Sequence, residues 1–211
     1  MANYTVKILQ IEQVTHDVHS FTVEKPAGFL YEPGQATDFS IDKDGWKNEK
    51  RPFTFTSLPD AATLQFTIKS YTDHEGVTNE LLKLKEGDAV EISDAWGTIA
   101  YKSEGIFIAG GAGITPFIAI FRHLYRQNHI GKNKLFFSNK TTKDIILKDE
   151  LEEMLGNNFI NIITKEKDTK YYSGKIDKAF LKENIEDFTV PVYVCGPDAF
   201  MTDILAALKE L

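Results

Sequence analysis

An antiparallel β-barrel followed by a doubly wound parallel α/β sheet is the two-domain fold this sequence predicts. Short alternating strands separated by turn residues fill the chain up to about Tyr101. From Gly105 the pattern changes to wholly apolar strands alternating with helical segments. The change coincides with a glycine turn that runs straight from a strand into a helix. These observations place the barrel in residues 1–102 and the α/β domain in residues 103–211.

In the first half, Tyr4-Thr5-Val6-Lys7-Ile8-Leu9 and Val18-His19-Ser20-Phe21-Thr22-Val23 alternate as antiparallel partners do. Pro33-Gly34 turns the chain into the strand Gln35-Ala36-Thr37-Asp38-Phe39-Ser40-Ile41, and Asp44-Gly45 marks a hairpin turn after it. The strand Arg51-Pro52-Phe53-Thr54-Phe55-Thr56-Ser57 follows, with Phe53, Phe55 and Ser57 on one side and Thr54 and Thr56 on the other. Thr63-Leu64-Gln65-Phe66-Thr67-Ile68-Lys69 and Ala89-Val90-Glu91-Ile92-Ser93 complete about six strands. One helix interrupts them, from Gly76 to Leu84, with Thr78 expected as its N-cap.

In the second half, Ile106-Phe107-Ile108-Ala109 is a strand of the buried parallel kind, and Phe117 to Arg126 is a helix. Lys134-Leu135-Phe136-Phe137 is the next strand, Ser138-Asn139-Lys140 a loop, and Asp149 to Leu155 a helix. A third strand, Phe159-Ile160-Asn161-Ile162-Ile163, precedes a short helix from Ile176 to Leu181. The strand Val190-Pro191-Val192-Tyr193-Val194, the turn Cys195-Gly196-Pro197 and a helix from Asp198 to Leu211 end the chain. In such a sheet ligands sit at the carboxyl ends of the strands, so residues 110–116 and 195–197 are expected to face one crevice.

Three stretches carry chemistry. Arg51 is one of only three arginines, beside Arg122 and Arg126. Its planar fork grips phosphate oxygens as a lysine does not. Phe53 offers a flat face to a heterocycle and Thr54 a hydroxyl to a ring nitrogen, so a ligand with phosphate at one end and a planar ring at the other, such as a flavin, fits them. The alternative is an edge strand that opens on a proline and carries a surface arginine. The helix start at Gly76 and Thr78 supplies a second anion site, or an ordinary capped helix. Gly110-Gly111-Ala112-Gly113-Ile114-Thr115-Pro116 joins a strand to a helix start, the arrangement in which backbone amides cradle a pyrophosphate. Proline is tolerated there because its missing N–H falls in the unpaired first turn.

Composition excludes several classes. A net charge of −7 argues against a nucleic-acid binder. The single cysteine, Cys195, rules out an internal disulfide framework, a multi-cysteine zinc site and a cysteine-ligated iron–sulfur cluster within the chain. Cys195 itself reads as a small buried residue at a strand end rather than a nucleophile. His16 and His19 are too sparse for a metal site, Asp73-His74-Glu75 reads as a solvated turn, and no G-x-S-x-G elbow is present. With no apolar run of spanning length and no signal-peptide pattern at Met1-Ala2-Asn3-Tyr4, a cytoplasmic protein is expected.

These motifs, in this order, resemble the ferredoxin–NADP reductase superfamily across nearly the whole chain. The likeness rests on Arg51-Pro52-Phe53-Thr54, Gly76-Val77-Thr78-Asn79, residues 110–116, and Cys195-Gly196-Pro197-Asp198-Ala199-Phe200-Met201, with Pro33-Gly34-Gln35 as a further barrel turn. It implies FAD, less readily FMN, as cofactor and NADH or NADPH as co-substrate. Arg51 and Thr78 would hold the flavin phosphates, Phe53 would pack on the ring system and Thr54 would approach N5. Pro52, Ile68, Lys69, Gly76, Val77 and Asn79 join that cofactor-binding set. The nucleotide would lie on Gly110, Gly111, Gly113, Ile114, Thr115 and Pro116, with Ser138, Asn139, Lys140, Gly196, Pro197 and Met201 around it. Cys195 would place the nicotinamide, so Thr54 and Cys195 are the catalytic candidates. Hydride would pass from nicotinamide C4 to flavin N5.

The departures from the family matter too. The chain ends Lys209-Glu210-Leu211, without the aromatic residue that covers the flavin in plant-type members, and no cysteine-rich segment follows. The resemblance therefore implies a separate acceptor: a ferredoxin, a flavodoxin or an oxygenase component. Ser138-Asn139-Lys140-Thr141 through Asp144-Ile145-Ile146-Leu147 resembles the NADH–cytochrome reductase branch, while Lys140, Lys165 and Lys170 offer cations to a 2′-phosphate. Two alternatives remain open: a reductase that releases flavin as a substrate, and a non-catalytic flavin-binding sensor or electron-transfer subunit. Lys43, Lys47 and Lys50, just before Arg51, are candidates for docking an acidic carrier, opposed by Asp42, Asp44 and Glu49.

Overall fold

Eleven strands and five α-helices are defined in the computed structural model, which describes residues 2–72, 75–167 and 170–211. Asp73 and His74 of the expected solvated turn lie outside the described residues. The chain divides into two compact units, Met1–Tyr101 with Thr115–His123, and Lys102–Ile114 with Leu124–Leu211.

The first unit holds a six-stranded antiparallel sheet made of β1 (Asn3–Gln13), β2 (Val18–Glu24), β3 (Ala36–Ile41), β4 (Arg51–Thr54), β5 (Thr63–Lys69) and β6 (Ala89–Ser93), in the order β4-β3-β6-β1-β2-β5. Its two edge strands meet through the bridge Phe55↔Phe66 and the hydrogen bond from Thr56 N to Gln65 O at 2.8 Å. That seam closes the sheet into a barrel and removes its open edges. The long strand β1 serves two partners, and a register shift between Ile8 and Gln10 accompanies the change from β6 to β2. Inside the barrel, Val23, Phe39, Phe55, Leu64, Phe66 and Val90 have no exposed surface. Phe55 stacks on Tyr31 at 4.3 Å between ring centroids and tilts against Phe66 at 5.2 Å. The strand expected over Arg51–Ser57 is β4 only to Thr54, yet Phe53 and Phe55 both reach this core, Phe53 only in part.

Two expectations for the barrel change. The Asp44-Gly45 turn lies within a longer connection between β3 and β4, where Gly45 takes φ +84°. The helix from Gly76 is one turn of α-helix, α1 (Val77–Glu80), continued as a 3₁₀ turn over Leu81–Lys83. Gly76 is its N-cap, with no side-chain cap bond, and Thr78 lies inside the turn. The Thr78 hydroxyl instead accepts from Tyr71 N at 3.4 Å.

In the second unit, β7 (Ile106–Gly110), β8 (Lys134–Asn139), β9 (Phe159–Ile163), β10 (Tyr172–Ser173) and β11 (Val192–Cys195) form a parallel sheet in the order β10-β9-β8-β7-β11. Helices α3 (Lys148–Leu155), α4 (Lys178–Asn184) and α5 (Asp198–Lys209) follow β8, β10 and β11, whereas α2 (Thr115–Arg126), which follows β7, has Thr115–His123 in the first unit. One face of the sheet, with Ile106, Ile108, Phe136 and Ile162, packs on Phe180, Leu181 and Ile204. The two-residue β10 was not expected, being too short to show a period. Ser138 and Asn139 are strand rather than loop, because Gly110 and Ile163 on the flanking strands extend the ladder to them.

Replacing Phe55, which lies at the seam and in the core, tests this architecture. Phe55→Ala is expected to lower stability by about 3–5 kcal/mol through the cavity it leaves. Urea unfolding followed by tyrosine fluorescence measures it, and a loss under 1 kcal/mol would contradict the assignment of Phe55 to a packed closure.

Candidate functional site

Strand order reverses between β7 and β11, since the chain proceeds outward from β7 through β8, β9 and β10 and then returns to the other side of β7. The loops leaving such a pair diverge and open a crevice at the carboxyl ends. Both glycine-bearing motifs lie there. Gly111–Ile114 makes a 3₁₀ turn that leads directly into α2 at Thr115 and Pro116. A Cβ on Gly113 would lie 2.3 Å from Cys195 O and 2.6 Å from Gly196 Cα, so backbone meets backbone with no room for any side chain. Gly110 and Gly196 both lie against the ring of Phe200, where added Cβ atoms would come within 3.0 and 2.5 Å of it. Gly111 differs: its φ is +51°, and a Cβ there would meet nothing within 4 Å. It is a left-handed residue with open space where a side chain would stand.

Ile114 and Pro116 are buried, whereas Thr115 and Met201 are half-buried and Pro197 is exposed. Asn139, at the end of β8, is 4% exposed, and neither its side-chain oxygen nor its nitrogen has a partner among the described residues. An unmade hydrogen bond at a buried amide costs about 1–3 kcal/mol, so this side chain is suited to a polar ligand. Ser138 is half-buried and Lys140 exposed. The backbone N–H of Lys165 donates to Lys140 O at 2.8 Å, and Glu166 accepts from Thr142 N at 2.8 Å. Glu166 was missed from sequence; it follows Lys165 in the chain, and its carboxylate bonds the backbone two residues after Lys140. Lys170 lies over the Tyr171 ring at 5.4 Å.

Cys195 ends β11 opposite Ala109. Burial pushes its thiol above the usual cysteine range, and a hydrogen bond from the Gly196 backbone offsets only part of that rise. The side chain is a neutral thiol at physiological pH, not a nucleophilic thiolate.

On the barrel, the Arg51 guanidinium is about half exposed. Its Nη1 donates to Lys50 O at 2.8 Å and its Nη2 faces Glu49 at 3.4 Å. Phe53 and Thr54 are half-buried, with the Phe53 ring edge-on to Phe39 at 5.4 Å. Pro52 is exposed in β4, paired with Asp38. Ile68 and Lys69 depart from expectation. Ile68 is 2% exposed in the core, and the Lys69 ammonium is paired with Asp17 at 2.8 Å, so neither side chain stands free. Gly76 has φ −165°, extended backbone that any residue adopts. Val77 is buried and Asn79 half-buried.

The Lys43–Lys47–Lys50 patch is not a free basic cluster. Lys43 Nζ bonds Glu80 at 2.8 Å, and Lys47 bonds Asp42 at 2.6 Å. Glu80 also takes Lys83 at 2.6 Å, and hydrogen bonds from Lys43 first and Lys83 second hold its carboxyl below the usual range. Among the described residues no helix is long and apolar enough to cross a membrane.

Comparisons with known proteins agree with this geometry. Residues 107–205 match the model of the oxidoreductase NAD-binding domain. An NADH-cytochrome b5 reductase from Vanderwaltozyma polyspora is 32% identical over 92% of this chain and 71% of its own length. The reductase component of propane 2-monooxygenase from Rhodococcus jostii is 25% identical over 96% of this chain and 59% of its own. The solved ferredoxin NADP+ reductase of Neisseria gonorrhoeae superposes with a TM-score of 0.87 at 19% identity, over 100% of this chain and 92% of that one.

The raised thiol gives a prediction with a definite sign. Because the neutral form is favoured, alkylation of Cys195 by iodoacetamide at pH 8 is expected to be slower than that of a free cysteine. The rate should still be climbing where a free cysteine has levelled off. A plateau below pH 8 would contradict the burial assigned to it.

Proposed function

We propose, for a chain that belongs to the ferredoxin–NADP reductase superfamily and is kin to the NADH-cytochrome b5 reductases, the role of an FAD-dependent NAD(P)H oxidoreductase that serves a separate electron acceptor. The observation that carries the reading is the turn at the β7–β11 reversal. Gly113 is pressed on Cys195 and Gly196, Gly111 is left-handed and open, and a helix begins immediately after them. This is a cradle for a dinucleotide pyrophosphate built from backbone amides. The unpaired amide of Asn139 supports a polar ligand at the same strand ends.

Each group has a task for which its surroundings suit it. The Arg51 fork, half exposed at the start of β4, holds phosphate charge, and the first turn of α1, without a side-chain cap, adds backbone donors. Phe53 supplies a ring face for the flavin and Thr54 a hydroxyl on the neighbouring position. Cys195, as a neutral thiol, orients the nicotinamide without adding charge. When bound, the nicotinamide supplies a hydride and the flavin converts that pair of electrons into transfers of one or two. The protein's contribution is alignment and exclusion of water. The acceptor is a small carrier protein or an oxygenase component, in keeping with the kinds of reductase this chain resembles.

The purified protein is expected to be yellow, and chromatography of the released cofactor should show FAD. FMN alone would overturn the FAD assignment, and failure to take up any flavin on reconstitution would overturn the flavin reading. Arg51→Ala removes a charge-assisted hydrogen bond of about 1.5–3 kcal/mol. Flavin retention should weaken roughly ten- to a hundredfold.

Gly111→Val places a branched side chain in a left-handed position and fills the open face. The concentration of NADH or NADPH that half-saturates flavin reduction should rise, with flavin content unchanged. Unaltered affinity for both nucleotides would remove this turn from the nucleotide site. Cys195→Ala is expected to slow flavin reduction, again with flavin content intact, and parallel loss of flavin would contradict its assignment to the nicotinamide.

A further inference from the structure

We infer that Arg122 is a positioning residue for the Thr54 end of β4, and that it sets the rate of flavin reduction without holding the flavin. The inference rests on the flavin reading above for its kinetic consequence, and on geometry for the rest. Arg122 Nη1 donates to Thr56 O and to Gln65 Oε1, both at 2.7 Å. Thr56 has no exposed surface, and its hydroxyl joins the same cluster, 3.3 Å from Gln65 Oε1 and 3.3 Å from the hydroxyl of Thr67. This is the seam at which β4 and β5 close the barrel, through Thr56 N to Gln65 O and the Phe55↔Phe66 bridge. One guanidinium nitrogen therefore bonds both sides of the seam, two residues after Thr54.

The residue type matters. A cation held against the carbonyl of buried Thr56 and the half-buried amide oxygen of Gln65 makes hydrogen bonds stronger than neutral ones. Thr54 ends β4, and after it only Phe55, bonded from its N–H to Gln35 O at 3.1 Å, intervenes before Thr56. Releasing Thr56 lets the strand end shift by the small distances to which aligned transfer is sensitive. Arg122 also lies seven positions after Thr115 on α2, close to two helical turns, so the two share a face of the helix that starts at the glycine turn.

Three variants test this: Arg122→Met, Arg122→Lys and Gln65→Met. In flavin-loaded protein, Arg122→Met should keep full flavin content and NADH half-saturation within about twofold. The limiting rate of flavin reduction should fall about ten- to a hundredfold. Arg122→Lys should recover most of the rate, and Gln65→Met combined with Arg122→Met should cost less than the two losses added, because both remove one contact. In flavin-free protein, hydrogen exchange at the Phe55 and Thr56 amides should accelerate in Arg122→Met while the β1–β6 amides keep their protection. An unchanged limiting rate in loaded Arg122→Met overturns the inference, as does a Lys variant no better than Met. Exchange that accelerates across the whole barrel also overturns it, by reducing Arg122 to a general structural support. A wild-type protein that takes no flavin would contradict the proposed function, and the exchange experiment would still decide whether Arg122 holds this seam.

Discussion

At Gly113 the backbone following β7 touches the backbone following β11, with a missing methyl group as the only clearance. An added Cβ would lie 2.3 Å from a carbonyl oxygen and 2.6 Å from a Cα carbon, where ordinary contacts begin near 3.4 Å. Neither atom belongs to a flexible side chain that turns away. The contact fixes where the 3₁₀ turn of Gly111–Ile114 runs, and with it where α2 begins and which way its first amides face. It also holds Cys195 at the mouth of the β7–β11 reversal. Phe200 completes the arrangement, lying against Gly110 and Gly196, so three glycines are required by one close approach of two chain segments. Of the glycines at this turn, Gly111 alone has open space where a side chain would stand.

The barrel is organised on a different principle. Closure is accompanied by polar bonds among Thr56, Gln65 and Thr67, while Phe55 and Phe66 bridge the same two edges and belong to the aromatic core. A buried polar cluster of this kind is costly when incomplete and rigid when satisfied. Arg122 contributes a charged donor to it. Near α1, Glu80 takes Lys43 and Lys83, and Asp42 takes Lys47, so two of the lysines Lys43, Lys47 and Lys50 before Arg51 are paired with carboxylates. In the proposed flavin site, phosphate recognition would rest on one guanidinium and a helix turn rather than on a broad field.

Much of this was legible in the sequence because it depends on local pattern. The apolar run at Ile106, the glycine turn after it and the Cys195-Gly196-Pro197 turn place themselves, since each is a strand end followed by a helix start. The alternation of Phe53 and Phe55 against Thr54 and Thr56 likewise gave the two sides of its strand. What escaped depends on partners distant in the chain. Ser138 and Asn139 look like a polar loop, and only the neighbouring strands make them strand. Thr78 looks like a cap, but the helix begins two residues earlier, at an extended glycine. Lys69 looks available until Asp17 is found beside it, and Arg122 reaches its two acceptors across 66 and 57 positions of sequence. Asn139 was placed near the nucleotide by resemblance, whereas the isolation of its amide is a property of the folded sheet alone.

The proposed function stands or falls on whether reduced nucleotide delivers electrons to a flavin held by this chain. Flavin-loaded protein mixed with NADH or NADPH in a stopped-flow instrument without oxygen measures that step directly. The account predicts rapid loss of the oxidised flavin's visible absorbance with at least one of the two nucleotides, and its return when an electron-carrier protein is added. A flavin that stays bound and oxidised through many minutes of excess NADH and NADPH would contradict it.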